Sequence, residues 1–297
     1  MSFIDLHVHT SASDGTCTPK EVVMDALNRK LSVIAITDHD TTKGIKEALI
    51  ALQDYNMRAI GFSNNDTDNM NEELIVVPGV EISCQYGNRE VHMLGLFIDY
   101  EDELLNQRLT FMREGRDRRN DRMIEMFNDN EIPMTLEDLK FGKDDTVVSR
   151  AHFARYLHEY GYVKSREEAF KKYIGDGCPF YLSREYVSAE TAIEWIHEAG
   201  GLAFLAHPYL YGFKEAKVVE MIKELKEAML DGLEAYHSTT DAGGTNQLRE
   251  YAKRFGLMVS GGSDFHGANK PYVHLGVGKG NLRITKHVYN KIINREV

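Results

Sequence analysis

"LSVIAITDHD" occupies residues 31–40. Leu31 to Ile36 are apolar except for Ser32, and Thr37 to Asp40 are polar. A run this short and this apolar reads as a strand buried on both faces. Burial on both faces predicts a parallel sheet with helices against each side. The polar end of the run then lies at the C-terminal edge of the sheet, where such folds build their sites.

The neighbouring segments repeat the pattern. "FIDLHVHT" (3–10) is an earlier strand, again ending in polar residues. Between the two, Thr18-Pro19 opens a helix, with Thr18 as N-cap, Pro19 at the first helical position and Glu21 in the first turn. "GIKEALIALQDYN" (44–56) has helical spacing. "LIVVPGVEIS" (74–83) predicts a third and fourth strand, broken near Pro78-Gly79, and "EVHMLGLFID" (90–99) a further one. After Tyr100 the character becomes helical and arginine-rich. Alternation resumes with a helix over 188–199, strand "GLAFLAHP" (201–208), a helix over 214–230, strand "GLEAYH" (232–237), a helix over 244–255 and strand "LMVSGGSDFH" (257–266). The expected organisation is one α/β domain from residues 1–100 and 185–297, interrupted by a helical insertion over 101–184.

Bulk properties narrow the function classes. The 297 residues carry 35 Lys and Arg against 46 Asp and Glu, a net charge of −11. An acidic surface argues against coating duplex nucleic acid, which needs a basic one. Cys17, Cys84 and Cys178 are far apart and form no CxxC pair, as expected of reduced thiols in the cytoplasm. No apolar run reaches the roughly 18 residues of a membrane span, and no secretory leader is expected from the first residues.

The strand ends share one chemistry. They offer His7 and His9, Asp38 and His39, Glu81, His92, His207, His237, and Asp264 with His266; Asp14 follows in the first loop. Residues two apart on a strand share a face, so His7/His9 and Asp264/His266 can each direct two groups at one point. Imidazole with carboxylate suits Zn, Mn or Fe. The absence of cysteine argues against a closed structural zinc site. So many candidate ligands exceed one ion's needs, and two or three ions bridged by Glu81 fit better. Asp38 is a candidate catalytic residue, or a group that orients a neighbouring histidine. His237 is a candidate for contacting phosphate or protonating a leaving group. The polar stretch "GFSNNDTDNMNEE" (61–73) reads as a surface loop. It lacks the glycine turn of a calcium loop, and Met70 stands where an oxygen ligand belongs.

"DLHVHTSASDGTCTP", "AITDHDTT", "PGVEIS", "VHMLGLFID", "LAHP" and "GGSDFHG" resemble, in order and identity, the motifs of the PHP (polymerase and histidinol phosphatase) family. "VVSRAHFARYL" (147–157) and "FKKYI" (170–174) resemble its subgroup of nucleoside-bisphosphate phosphatases and 5′→3′ exoribonucleases. The resemblance implies a distorted (βα)7 TIM-like barrel with three divalent ions at its mouth. Carried over, it implies one ion at His7, His9, Glu81 and Asp264, a second at Glu81, His92 and His207, and a third at Asp14, His39 and His266. The family often has histidine where this chain has Asp14, which hardens the third site toward Mn or Fe.

Clustered divalent ions generate hydroxide at neutral pH and clamp phosphoryl oxygens, so the expected activity is phosphate-ester hydrolysis. Arg150, His152, Arg155 and Lys172 of the insertion are candidates for binding the distal part of the substrate. The arginines over 113–122 alternate with acids and read as surface ion pairs. The expected partner is a small phosphorylated molecule, a nucleotide or short single-stranded RNA, with neither duplex nucleic acid nor a membrane. A histidinol-phosphate-type phosphatase and a non-hydrolytic metal or nucleotide sensor stand as alternatives. An amidohydrolase is a third, although that chemistry usually uses a lysine bridge where this chain has Glu81.

Overall fold

The structure is a computed structural model that describes residues 2–62, 74–142, 147–175, 177–182 and 186–297. The chain opens with β1 (Phe3–Val8), α1 (Pro19–Asn28), β2 (Leu31–Ile36) and α2 (Lys43–Phe62). β3 (Ile75–Tyr86) and β4 (Arg89–Leu96) follow as a hairpin. Helices α3 (Glu103–Asp129), α4 (Leu136–Lys140), α5 (Arg150–Glu159) and α6 (Arg166–Ala169) come next, with a π-helical turn at Phe170–Ile174. After the two-residue β5 (Val187–Ser188) come α7 (Ala189–Glu198), β6 (Leu202–Leu205), α8 (Glu215–Glu227), β7 (Gly232–His237), α9 (Ala242–Phe255), β8 (Met258–Gly262) and α10 (Lys286–Ile293).

Seven strands join in the order β1-β2-β3-β4-β6-β7-β8, and β5 sits beside β3. The ends of the sheet meet. Val8 bridges Phe265 in parallel, and the Asp264 and His9 amides donate to the His7 and Phe265 carbonyls at 2.9 and 3.0 Å. The sheet is therefore a nearly closed, distorted barrel, as the sequence resemblance implies. Gly262 makes that seam close: a Cβ there would lie 2.4 Å from both the His7 Cβ and the His7 nitrogen.

Two expectations need correction. β3 is one continuous twelve-residue strand, not two broken at Pro78-Gly79. Pro78 sits where β3 pairs in parallel with Ile36, and Gly79 begins the antiparallel ladder with β4. The sheet is also not wholly parallel, since β4 runs antiparallel to both β3 and β6. Apolar patterning reports burial and not direction. Of the polar stretch 61–73, Gly61 and Phe62 belong to α2, and 63–73 lie outside the described residues.

Local signals explain the elements. All six residues of β2 are buried. α1 begins at the expected N-cap, and the structure adds a capping box, in which the Thr18 side chain accepts from the Glu21 amide and Glu21 from the Thr18 amide. One apolar cluster joins strand residues such as Ile34, Ile82 and Leu233 to helices α1, α2, α7, α8 and α9. A second joins Ile4, Val33, Leu96 and Phe204 to Ile292 of α10. A third holds Phe127, Leu139, Phe153 and Ile174 of the helical segment. α3 enters both regions: Leu105, Leu109 and Met112 belong to the first cluster, Met123 and Phe127 to the third.

Candidate metal centre

The strand ends bring their polar side chains to one point. His7 Nε2 and His9 Nε2 are 3.0 Å apart. They lie 3.3 and 3.2 Å from Glu81 Oε2, and 3.7 and 3.5 Å from Asp264 Oδ1. His92 Nδ1 and His207 Nε2 approach the other Glu81 oxygen at 2.9 and 3.0 Å. His39 Nδ1 reaches Glu81 Oε2 at 3.0 Å. Asp14 gathers His266, His9 and His39 at 3.1, 3.8 and 3.9 Å. Candidate ligand atoms therefore group as His7/His9/Glu81, as His39/Glu81/His92 and as His9/Asp14/His39/His266, each within 4.8 Å. All nine expected metal ligands come together, and His9, His39 and Glu81 each belong to two of these groups.

The cluster suits a cation. His9 Nδ1, Asp14 Oδ1, His39 Nδ1, Glu81 Oε2 and His207 Nδ1 are buried, and the close approaches among them are not aligned as hydrogen bonds, which is costly for polar atoms unless an ion completes them. Burial raises the Glu81 pKa, but His39, His92 and His7 outweigh it and hold the carboxyl well below its usual range. Burial likewise opposes ionisation of Asp14, where His266 and His39 prevail. Burial, aided by His266 and His39, pushes His9 well down, and it takes His207 to about 4 against the pull of Glu81. At His92 burial loses to Glu81, and the pKa rises to about 10. Ionised carboxylates facing buried imidazoles bind either protons or a metal ion, and the two compete for the same nitrogens.

A further layer fixes the ligands. His7 Nδ1 contacts Glu234 Oε1 at 2.9 Å, and the other Glu234 oxygen accepts from the His207 amide at 2.8 Å. One carboxylate thus orients a ring from β1 and the backbone after β6. Asp5 accepts from the Ser263 and Gly276 amides at 2.8 and 2.7 Å, tying β1 to the segment after β8. Neither acid was singled out in the sequence. Glu234 had a signal: Leu233 and Ala235 face the helix layer, so strand alternation turns Glu234 to the other side. Asp264 and His207 have φ of +58° and +27°, strained conformations that cluster at functional sites.

Asp38 is placed otherwise than a catalytic role requires. One oxygen accepts from the Thr10 amide and the Ser13 hydroxyl at 2.8 and 2.6 Å, the other from the Thr10 hydroxyl at 2.7 Å. Its carboxylate braces the loop that carries Asp14. His237 does stand at the cluster. The Thr239 amide donates to its Nδ1 at 3.2 Å, which leaves the proton on Nε2, 3.2 Å from Asp264 Oδ2.

A cleft of about 720 Å³ opens above Asp14, His39, His92, His237 and His266. The insertion's contribution differs from the expected one. Arg150 lines the cleft, paired with Glu90 and 5.4 Å from the Tyr181 ring. His152 is buried, and its Nδ1 accepts from the Ser149 amide at 3.1 Å, capping its own helix. Arg155 pairs with Glu159 at 2.7 Å and lies 3.7 Å over the Phe141 ring. Lys172 pairs with Glu168 on the exposed surface. None of these three lines the cleft. Arg116 and Arg119 do, and they are buried, contrary to the reading of 113–122 as surface ion pairs. Arg116 bonds Asp40 and the Ser83 hydroxyl.

Known proteins are similar to this chain over most of its length. A 3′,5′-nucleoside bisphosphate phosphatase of Chromobacterium violaceum is 35% identical over 267 residues, covering 90% of this chain and 88% of that protein. The 5′-3′ exoribonuclease Rnm of Escherichia coli is 34% identical over 272 residues, covering 92% and 87%. A C. violaceum structure described as an amidohydrolase with bound sulfate and no metal superposes with TM-score 0.83 at 31% identity, covering 99% and 97% of the chains. A predicted metal-dependent phosphoesterase of Bifidobacterium adolescentis gives 0.82 at 30%, covering 100% and 97%. The PHP domain model matches residues 5–255. With its strand-end cluster of histidines and carboxylates, this chain belongs to the PHP domain family.

Proposed function

We propose that the substrate of this metal-dependent phosphoesterase is a nucleotide carrying a second phosphate, or the 5′ end of a short single-stranded RNA. One observation carries the reading: a single cleft joins the candidate metal cluster to Arg116, Arg119 and Arg150, in a chain of net charge −11. Guanidinium groups match phosphate oxygens in planar, paired fashion. The relatives named for nucleotide and RNA substrates support the same class.

In this reading three ions are held by the sets His7/His9/Glu81/Asp264, Glu81/His92/His207 and Asp14/His39/His266. Bound divalent ions supply Lewis acidity and a nucleophile at neutral pH. Glu81 links the sets, and Glu234 keeps the His7 Nε2 lone pair directed at the cluster. His237 presents its Nε2–H beside Asp264, where it donates to a phosphoryl or leaving oxygen. Arg150 holds the distal phosphate. The helical segment 101–184 acts as a cap that supplies this recognition. The shared carboxylate Glu81 favours ester hydrolysis over an amidohydrolase built on a lysine bridge.

The test compares substrates on one variant. Arg150→Ala is expected to cut kcat/KM for adenosine 3′,5′-bisphosphate at least tenfold more than for a simple aryl phosphate. Equal losses on both would refute the recognition role.

A further inference from the structure

The cleft has an apolar rim as well as basic walls. Phe170, Leu210 and Tyr272 line it, and they are 38%, 50% and 77% exposed. The rings of Phe170 and Tyr272 stack on no other ring or cation among the described residues. Both are held on firm backbone. Tyr272 follows Pro271 in a turn closed by the Val273 amide on the Lys270 carbonyl at 2.9 Å, and Val273 is buried. Phe170 begins the π-helical turn whose last residue, Ile174, is fully buried. Large apolar groups held out in water beside a binding cleft mark a contact surface.

The spacing of the two rims is also set. Arg166 on the Phe170 side donates to the Ala268 and Asn269 carbonyls at 3.0 and 2.6 Å, just before Tyr272. Lys164 and Lys279 line the same cleft. The matching occupant has flat apolar faces on a negatively charged backbone, which describes single-stranded nucleic acid.

We propose that Tyr272 and Phe170 are stacking platforms for the bases of single-stranded RNA whose 5′ end lies at the metal cluster. This rests on the substrate reading above and deepens it: the two rings hold the RNA by its bases and without base preference, because every base offers a stacking face.

The experiment uses the metal-loaded protein and a tetraribonucleotide with 2-aminopurine at its second position, mixed fast enough to read binding before turnover. Stacking quenches this base. Wild type is expected to quench it. Tyr272→Ala is expected to lose the quenching and weaken binding about tenfold, while Tyr272→Phe retains both. In steady-state assays Tyr272→Ala should shrink the kcat/KM preference for adenosine 3′,5′-bisphosphate over abasic ribose 3,5-bisphosphate. Undiminished quenching in the Tyr272→Ala, Phe170→Ala double variant would overturn the proposal. So would a wild type that hydrolyses the nucleotide but never quenches the probe. Hydrolysis of neither nucleotide nor RNA by wild type would overturn the substrate reading beneath it.

Discussion

Glu234→Gln tests how the cluster is organised, because it changes one atom and one charge. The carboxylate accepts twice, from the His207 amide on one oxygen and from His7 Nδ1 on the other. Glutamine has one acceptor. The backbone amide of His207 cannot become an acceptor, so the glutamine oxygen stays with it. The NH2 then faces His7 Nδ1 and forces that nitrogen to accept. The His7 proton moves to Nε2, the atom 3.0 Å from His9 Nε2 and 3.3 Å from Glu81 Oε2. A protonated Nε2 offers a metal no lone pair. Restoring the ligand tautomer leaves the His7 Nδ1–H facing the glutamine NH2, two buried donors with no acceptor, at about 1–3 kcal/mol, or roughly 5- to 150-fold in metal affinity. Orienting partners of metal-bound histidines act in the same range, about 10- to 100-fold. The assay is metal content after dialysis against graded chelator, with imidazole nitrogen NMR to read the His7 tautomer. Metal affinity within twofold of wild type, or a His7 proton still on Nδ1, would refute this account.

Other substitutions probe separate parts. Gly262→Ala pushes a Cβ into His7 across the β1–β8 seam, and should cost about 1–3 kcal/mol, seen as a melting point lower by several degrees. Asp38→Ala strands the buried Thr10 amide and should cost about 1–3 kcal/mol in urea unfolding. Unchanged stability there would mean that the Asp14 loop holds itself. Lys172→Ala, remote from the cleft, should leave kcat/KM within twofold on nucleotide and RNA alike, and a larger loss would return Lys172 to the site.

The strand-end cluster was legible because its grammar is local. A buried apolar run that ends in His, Asp or Glu announces a site at that edge, and His7, His39, Glu81, His207 and Asp264 each follow such a run. Strand direction was not legible, because β4 carries the same apolar spacing whichever way it runs. The arginines of α3 misled for a similar reason. Arg116 and Arg119 alternate with acids as exposed pairs do, and only tertiary packing turns that part of the helix over the barrel mouth. Asp38 looked like a site residue because it precedes His39. Neighbouring residues on an extended segment face opposite ways, and Asp38 faces the Thr10 loop.

The meeting of the first and last strands has a consequence for folding. His7 and His9 precede Asp264 and His266 by some 250 positions in the chain, yet they adjoin across a seam held by a few backbone hydrogen bonds. The site does not exist until that seam has zipped, so an ion with affinity for the complete site and little for its halves favours the zipped form by mass action. Contacts that span almost the entire chain carry a large loop-closure entropy and form late. With the ion bound there, metal supply is expected to govern the closure of the barrel as well as activity: chelation should quicken amide hydrogen exchange along β1 and β8 before it loosens β2 and β3.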